Sequence, residues 1–500
     1  MKNIPSLLLV PFFLLSCQKK EQPEQKYSLI RGEIGQRLDS LLTPFVEELR
    51  AQTDNEAGLA IGVTQGDQIV YAQMFGYANL KKGIKADFHT LFHTASLSKP
   101  FTAAAIVKLI QAGKLTLEDR LIDHIPEFKM KGEGHEKITL KDILTHRSGI
   151  PRHLSSNDWE YPTFGPNALE KNLKQALDFE LDFEPASQYN YSNSAFDILG
   201  IVISRASRMS FEDYVKEAIL LPAGMNESTF IKDKDSLPAN WADAHSYALG
   251  TQNWSPFPYT ENQLPSSCLH TSLMDMCTWG MLHVHGGKVG EIEVFDKKHF
   301  DLFISPHGDT PWGDKIALSW FLQSYLDRPI IMHTGSDSGF EAMTYIYPAD
   351  SISIVILANR DFSRTGRIIN ATSEVIFKQA IKDYSLSARY RFAESYLNQG
   401  LDSAKSVWED LRNDTTDMYY VDDDDILTTG AVLEKGELWK EAQEILEYYI
   451  SMDSSSTYAW RLLGNTHLKL GARQEAKSCY EQALNINPDY EKAKKALKDM

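Results

Sequence analysis

Apolar residues along this chain change their period near residue 386. Before it, helical and strand spacings alternate; after it, only the helical spacing continues. Apolar positions at 34, 38, 41, 42, 45, 46 and 49 share one face at 3.6 residues per turn and predict a helix over 34–49. Residues 58–63 and 69–71 flank Gln65-Gly66-Asp67 and predict a β-hairpin. Helices are expected over 101–112, closed by Gly113, over 139–144, running into a loop at Ser148-Gly149, and over 195–203. Residues 343–347 and 352–357 read as two strands turning through Pro348-Ala349-Asp350. Strands at both ends and helices between them predict an α+β domain whose sheet is closed by both chain ends.

Beyond 386, strand signals stop and Gly and Pro become scarce. Trp460, Leu463-Gly464, Gly471, Ala476, Tyr480, Ala483-Leu484 and Pro488 form a spaced pattern that resembles a tetratricopeptide repeat. Gly436 and Ala442 precede Gly471 and Ala476 by 35 and 34 residues, and Gly400 and Ala404 echo them once more. Three repeats are expected, the first two degenerate, with the small residues placed where paired helices pack closely. The acidic run 422–425 has neither the spacing nor the glycine of a calcium loop and reads as a solvated connection between repeats.

The first residues read as a targeting segment. Lys2 precedes an apolar run over 4–15, too short to span a bilayer. It ends in Leu14-Leu15-Ser16-Cys17, which resembles the lipobox of bacterial lipoproteins, where the signal is cut before the cysteine and the cysteine is lipidated. A polar, charged stretch follows over 18–26. The expected organisation is a signal peptide over 1–16, a tether over 17–28, a catalytic domain over 29–385 and helical repeats over 386–500. Lipidation at Cys17 would hold the protein on a membrane of the bacterial cell envelope, outside the cytoplasm.

Charge and cysteine content narrow the chemistry. A formal net charge of −17 disfavours nucleic acid as a partner, since phosphate binding needs a basic surface. The four cysteines form no C-x-x-C pair, so no zinc or redox motif is present and buried free thiols are expected. His283-Val284-His285 does not share a helix face and has no evident third ligand, so no metal or other cofactor is predicted.

Ser96-Leu97-Ser98-Lys99-Pro100 stands where a helix begins. Residues i and i+3 share a helix face, so Ser96 and Lys99 can meet. Pro100 suits a first turn, where its missing N–H costs nothing. The N–H groups of a helix start favour an anion forming near Ser96, and together with burial they depress the lysine, leaving it able to take a proton. S-x-x-K alone is weak: Ser16-Cys17-Gln18-Lys19 fits it inside the targeting segment. Two further elements follow in order, Tyr191-Ser192-Asn193 on a loop at a helix start and His333-Thr334-Gly335 after the apolar stretch 329–332, where it should end a strand or begin one.

Together the three resemble the S-x-x-K, Y-x-N and K-T-G boxes of class C β-lactamases and D,D-peptidases. Gly76-Tyr77-Ala78, the stretch 140–149, Leu221-Pro222-Ala223-Gly224-Met225 and the closing run 354–359 look like further landmarks of that family, over about residues 30–380. The resemblance implies an antiparallel sheet flanked by helices with a helical subdomain, the β-lactamase/transpeptidase-like fold, followed here by the all-α repeats. It implies that Ser96 attacks a carbonyl and forms an acyl-enzyme, with Lys99 and Tyr191 sharing the base work, Tyr191 as phenolate or as proton relay. Asn193 would bond the substrate amide and help fix Lys99. The N–H groups of Ser96 and Ser336 would form the oxyanion hole, and His333, with Thr334 and Gly335, would line the pocket. The departure is His333, where lactamases carry lysine: a mostly neutral histidine holds a carboxylate less firmly. A small-molecule or peptide substrate with an ester or amide bond is therefore expected, rather than dedicated β-lactam hydrolysis. The alternative is a slow penicillin-binding sensor working through a protein partner at its repeats. Asp337-Ser338-Gly339 faintly resembles a trypsin-like motif without the histidine box that motif needs.

Overall fold

The computed structural model describes residues 27–53, 55–154, 163–165, 167–230, 240–247, 251–253, 260–382, 384–414 and 419–500. The lipobox, Cys17 and the tether up to 26 lie outside them. Among the described residues no helix is long and apolar enough to cross a membrane.

Nine antiparallel strands form the main sheet: β1 Ser28–Ile30, β2 Leu59–Gln65, β3 Gln68–Phe75, β4 Gly308–Asp309, β5 Lys315–Ile316, β6 Phe321–Tyr325, β7 Arg328–Asp337, β8 Phe340–Tyr347 and β9 Ile352–Ala358. Their order is β1-β3-β2-β9-β8-β7-β6-β5-β4. The N-terminal hairpin joins the C-terminal strand directly, Leu59 opposite Ala358 and Gln65 opposite Ile352, so both ends close the sheet as the strand pattern predicts. β4 to β6 were not predicted, because they are short and carry no clear apolar alternation.

Both faces of the central strands are covered, so their apolar runs are nearly continuous. On β9, Ile352, Ile354 and Ile356 face a layer made by α1 (Gly32–Gln52) and α5 (Thr365–Ile376). Val355 and Leu357 face the opposite layer, which includes α2 (Lys99–Gln111), α3 (Asn193–Ser207) and α4 (Leu273–Val284). A fully buried aliphatic side chain contributes about 1.5–3 kcal/mol, so two-sided burial, not strand propensity, holds β9 in place. His283, on α4, is packed among Trp279, Phe300, Phe303 and Trp320, with Nδ1 donating to the Trp279 carbonyl over 2.9 Å. It is a core residue, and no metal-holding cluster occurs among the described residues. Cys268, Cys277 and Cys479 are buried and free.

The C-terminal region consists of three helix pairs: α6 Arg389–Gln399 with α7 Leu401–Arg412, α8 Asp424–Lys435 with α9 Trp439–Met452, and α10 Thr457–Lys469 with α11 Arg473–Ile486. A final helix, α12 Glu491–Asp499, follows them. The role expected of the repeat glycines needs correction. Gly471 has no neighbour that a Cβ would strike; it serves the turn, at φ +82°. The close helix approach is at Gly464, where a Cβ would lie 2.6 Å from the Tyr480 ring. The acidic run is also more than a solvated connection. Asp423 accepts hydrogen bonds from Trp408 and Arg412, Asp424 from the Tyr449 hydroxyl and Asp425 from Ser387.

The repeats rest on the domain that carries the main sheet. The Arg389 guanidinium lies 4.1 Å from the Phe362 ring centroid, and Lys435 Nζ donates to Ser338 Oγ over 2.5 Å at the β7–β8 turn.

Candidate active site

Ser96 lies in a short 3₁₀ turn, Ala95–Ser98, that runs straight into α2 at Lys99. Ala95 enters this turn at φ +48°, a conformation costly for a residue with a Cβ and held here by full burial. Ser98 Oγ donates to the Ala95 carbonyl over 2.6 Å and accepts the Leu269 N–H over 2.9 Å. The turn is thereby fixed to the neighbouring chain. In the stretch 91–100 every residue is buried except Ser96, which is half-buried and opens to the cleft.

Lys99 reaches back one turn and donates from Nζ to Ser96 Oγ over 3.1 Å. Its second acceptor is the Ser266 carbonyl at 2.9 Å. The bond by which Asn193 was expected to fix Lys99 is not made, and the Ser266 carbonyl takes that role; Asn193 Oδ1 is buried with no hydrogen-bond partner. Burial pushes Lys99 from the ordinary lysine value down to about 7, against the opposing pull of the Asp197 and Asp337 carboxylates.

Tyr191 stands just before α3, whose first residues are capped by Ser192 Oγ accepting the Ala195 N–H over 3.1 Å. Its ring stacks on His146 at 4.1 Å between centroids, and Lys99 Nζ lies 4.8 Å from its centre. Burial raises the phenol well above its usual value, and the hydrogen bond with Ser96 offsets this only in part. Burial thus favours the neutral phenol, the form suited to a proton relay, over the phenolate. His146 accepts the Ser192 N–H at Nδ1 over 3.2 Å and is held well below the usual histidine value by burial and then by the Lys99 charge.

β7 closes the opposite side. Thr334 and Ser336 are exposed to the cleft, while Gly335 between them is buried. A Cβ on Gly335 would lie 1.9 Å from the Thr94 carbonyl oxygen and 3.1 Å from the Leu97 nitrogen. Glycine is therefore required for this strand to lie against the nucleophile turn, which brings the backbone of Ser336 beside that of Ser96. His333 lines the cleft but is almost fully buried. Its Nδ1 donates to the Thr334 carbonyl over 2.7 Å, and burial followed by the Lys99 charge pushes it down to about 3. It brings no positive charge to the cleft at neutral pH.

Ser96, Lys99, Tyr191 and the 333–336 segment, three stretches far apart in sequence, thus meet around one cleft of about 530 Å³. The β-lactamase family profile matches residues 38–375, and a tetratricopeptide-repeat profile matches residues 457–490. This chain belongs to the β-lactamase family. Among curated relatives of this β-lactamase-family chain, Protein flp of Staphylococcus aureus (strain MW2) is 27% identical over 74% of this chain and 71% of its own length. Penicillin-binding protein 4* of Bacillus subtilis (strain 168) is 26% identical over 63% of this chain and 71% of its own length. The octameric penicillin-binding protein homologue from Pyrococcus abyssi superposes with a TM-score of 0.60 at 24% identity, covering 71% of this chain and 81% of that one. A penicillin-binding protein from Bacillus halodurans gives 0.54 at 22% identity, over 67% and 97%. These two share the β-lactamase-family fold.

Several residues at the site were not found by sequence reasoning. The Ser266 carbonyl that holds Lys99 is backbone and leaves no side-chain signature. His146 lay within a stretch that resembled the family but had no assigned task. His93 and Asp337 come together only in the folded chain, with His93 Nε2 donating to Asp337 Oδ2 over 2.8 Å. Asp337-Ser338-Gly339, with its faint trypsin-like pattern, is the end of β7 and its turn. Arg152, at the rim, stands three residues beyond the stretch 140–149, in a loop without a readable pattern.

Proposed function

We propose that the chain hydrolyses an ester, amide or peptide substrate through an acyl-enzyme on Ser96. The observation that carries this reading is the 3.1 Å bond from a buried Lys99 to Ser96 Oγ, with Lys99 pushed down to about 7. Near neutral pH a large fraction of such a lysine is the free amine, a competent base. The serine proton passes to Lys99 Nζ as Oγ bonds the substrate carbonyl carbon. The resulting oxyanion is met by the N–H groups of Ser96 and Ser336. Collapse of the tetrahedral species breaks the bond to the leaving group, which receives the proton through the Tyr191 hydroxyl. Water then attacks the acyl carbon by the same route in reverse and frees Ser96. Asn193, with an unpaired buried Oδ1, suits a donor on the substrate such as an amide N–H.

The neutral His333 supports a substrate other than a dedicated β-lactam, although the names of relatives make penicillins proper test compounds. Lipidation at Cys17 would anchor the enzyme to the cell envelope, with the repeats as the place for a protein partner. A fluorophosphonate probe tests the chemistry: wild type is labelled on Ser96 and Ser96→Ala is not. Labelling that persists in the variant contradicts the assignment.

One contact favours the second reading, a penicillin-binding sensor relayed by the repeats. Lys435 of α8 reaches Ser338, two residues beyond Ser336. Turnover of simple p-nitrophenyl esters or nitrocefin at rates above about 1 s⁻¹, the low end of ordinary kcat values, excludes a sensor that only acylates.

A further inference from the structure

The cleft carries a fixed cation that no step of the proposed chemistry uses. Lys99 is committed to Ser96 and the Ser266 carbonyl, and His333 is neutral. Arg152 is different. Its side chain is exposed and lines the same cleft, with the guanidinium carbon 5.0 Å from the centre of the Tyr191 ring. It makes no ion pair with any carboxylate among the described residues.

The position of Arg152 is built rather than incidental. Its main-chain carbonyl accepts the N–H groups of Asn193 and Ser194 over 3.1 and 3.3 Å, at the first turn of α3. The rim residue is therefore tied to the helix that follows Tyr191. The same cleft is also lined by aromatic rings: Tyr189 and Trp312 meet edge to face at 5.4 Å, and Phe321 lies 6.1 Å from Trp312. Trp312 is 57% exposed, so the cleft offers an open apolar face beside the guanidinium.

We infer that Arg152 selects anionic substrates, taking a carboxylate of the substrate while Trp312 and its neighbours cover the apolar part. A guanidinium offers two parallel N–H donors that match a carboxylate's two oxygens, a recognition that a neutral histidine cannot give. Arg152 thus supplies from the Tyr191 side the positive charge that His333 does not supply from the strand side. This assignment rests on the reading of the cleft as the acyl-transfer site, and it predicts that the substrates are carboxylate-bearing esters or amides. The arginine charge also lowers the Lys99 and Tyr191 values, so the same residue biases the base toward its free form.

The test is binding to full-length Ser96→Ala, which does not depend on chemistry at Ser96. Two acid and methyl-ester pairs serve as probes: the mono-p-nitrophenyl ester of adipic acid, with the carboxylate on the acyl side, and benzoylglycyl thioglycolate, with it on the leaving side. Titration calorimetry should show at least one acid binding about tenfold or more tighter than its methyl ester. That ratio should fall to near one in Ser96→Ala/Arg152→Gln and remain intermediate in Ser96→Ala/Arg152→Lys. Ratios near one for both pairs, or a preference that survives Arg152→Gln, overturn the proposal. On the wild-type background, Arg152→Gln should also move the acid limb of kcat/KM to higher pH. Fluorophosphonate labelling of Arg152→Gln on Ser96 reports separately on the nucleophile.

Discussion

His93 Nε2 donates a hydrogen bond to Asp337 Oδ2 over 2.8 Å, tying the segment that carries Ser96 to the strand that carries Ser336. His93 is three residues before the nucleophile, and Asp337 is one residue after Ser336. The His93 ring is fully buried, with Nδ1 3.2 Å from His270 Nε2, and His270 in turn stacks on Trp241 at 3.7 Å. The spacing between the two candidate oxyanion donors therefore depends on a side-chain bond outside the cleft. His93→Ala should cost about 1–3 kcal/mol of stability, as expected for losing a hydrogen bond to a charged group, read as a lower Tm. It should lower kcat on the order of 10²-fold, the cost of a misplaced catalytic group, with a smaller change in KM. Asp337→Asn, which keeps an acceptor, should retain part of that kcat. An unchanged kcat in His93→Ala would show that the pair does not position the site.

The pH profile follows from Lys99. Its value is pushed down to about 7, and the neutral amine is the base, so kcat/KM should fall as pH drops through about 7. His333, near 3, does not titrate in that range, and the raised Tyr191 keeps its proton through it. The acid limb should therefore show one proton. Lys99→Met should abolish turnover and leave the fold intact, because a buried lysine is replaced by an apolar chain of similar length. An acid limb centred near 5, or steeper than one proton, points to a different base.

Gly335→Ala places a methyl group where only 1.9 Å separates it from the Thr94 oxygen, a backbone atom that cannot swing aside. β7 must then move off the nucleophile turn. Overpacking of this kind costs about 1–3 kcal/mol, so the protein should still fold, with fluorophosphonate labelling slowed far more than stability is reduced. Labelling at the wild-type rate would contradict the requirement for close approach.

The site was legible where chemistry and local geometry coincide. Ser96 and Lys99 are one helical turn apart, so a sequence spacing translates into a contact. Tyr191 precedes and Asn193 opens an apolar helix, a placement that follows from local pattern; Gly335, expected where a strand ends or begins, instead lies inside β7. β9 was legible as a strand from its apolar run; that both its faces are buried came only with the layers packed on either side. The partners that depend on tertiary approach were not legible. The Ser266 carbonyl has no side-chain code, His93 and Asp337 are 244 residues apart, and Gly471 and Gly464 are both glycines with opposite tasks. Strands β4 to β6 were missed because so few of their residues are buried that no alternation marks them.

The repeats are expected to support the catalytic domain as well as to offer a surface. Truncation at 386 removes Arg389 from the Phe362 ring, Lys435 from Ser338 and Leu386 from the core layer beneath α5. Thermal unfolding should show a lower Tm for the truncated chain. Lys435→Ala should have a smaller effect, within about 1 kcal/mol, because the side chain is exposed. A truncated domain with wild-type Tm and turnover would show that the repeats are an independent appendage.

The proposed hydrolysis passes through a covalent acyl group on Ser96. Acid-quenched mass spectrometry during turnover of a p-nitrophenyl ester measures it directly. A mass gain of one acyl group is expected on the peptide containing Ser96 and not in Ser96→Ala, which should not turn the ester over. An adduct on any other residue, or turnover by Ser96→Ala at the wild-type rate, would contradict it.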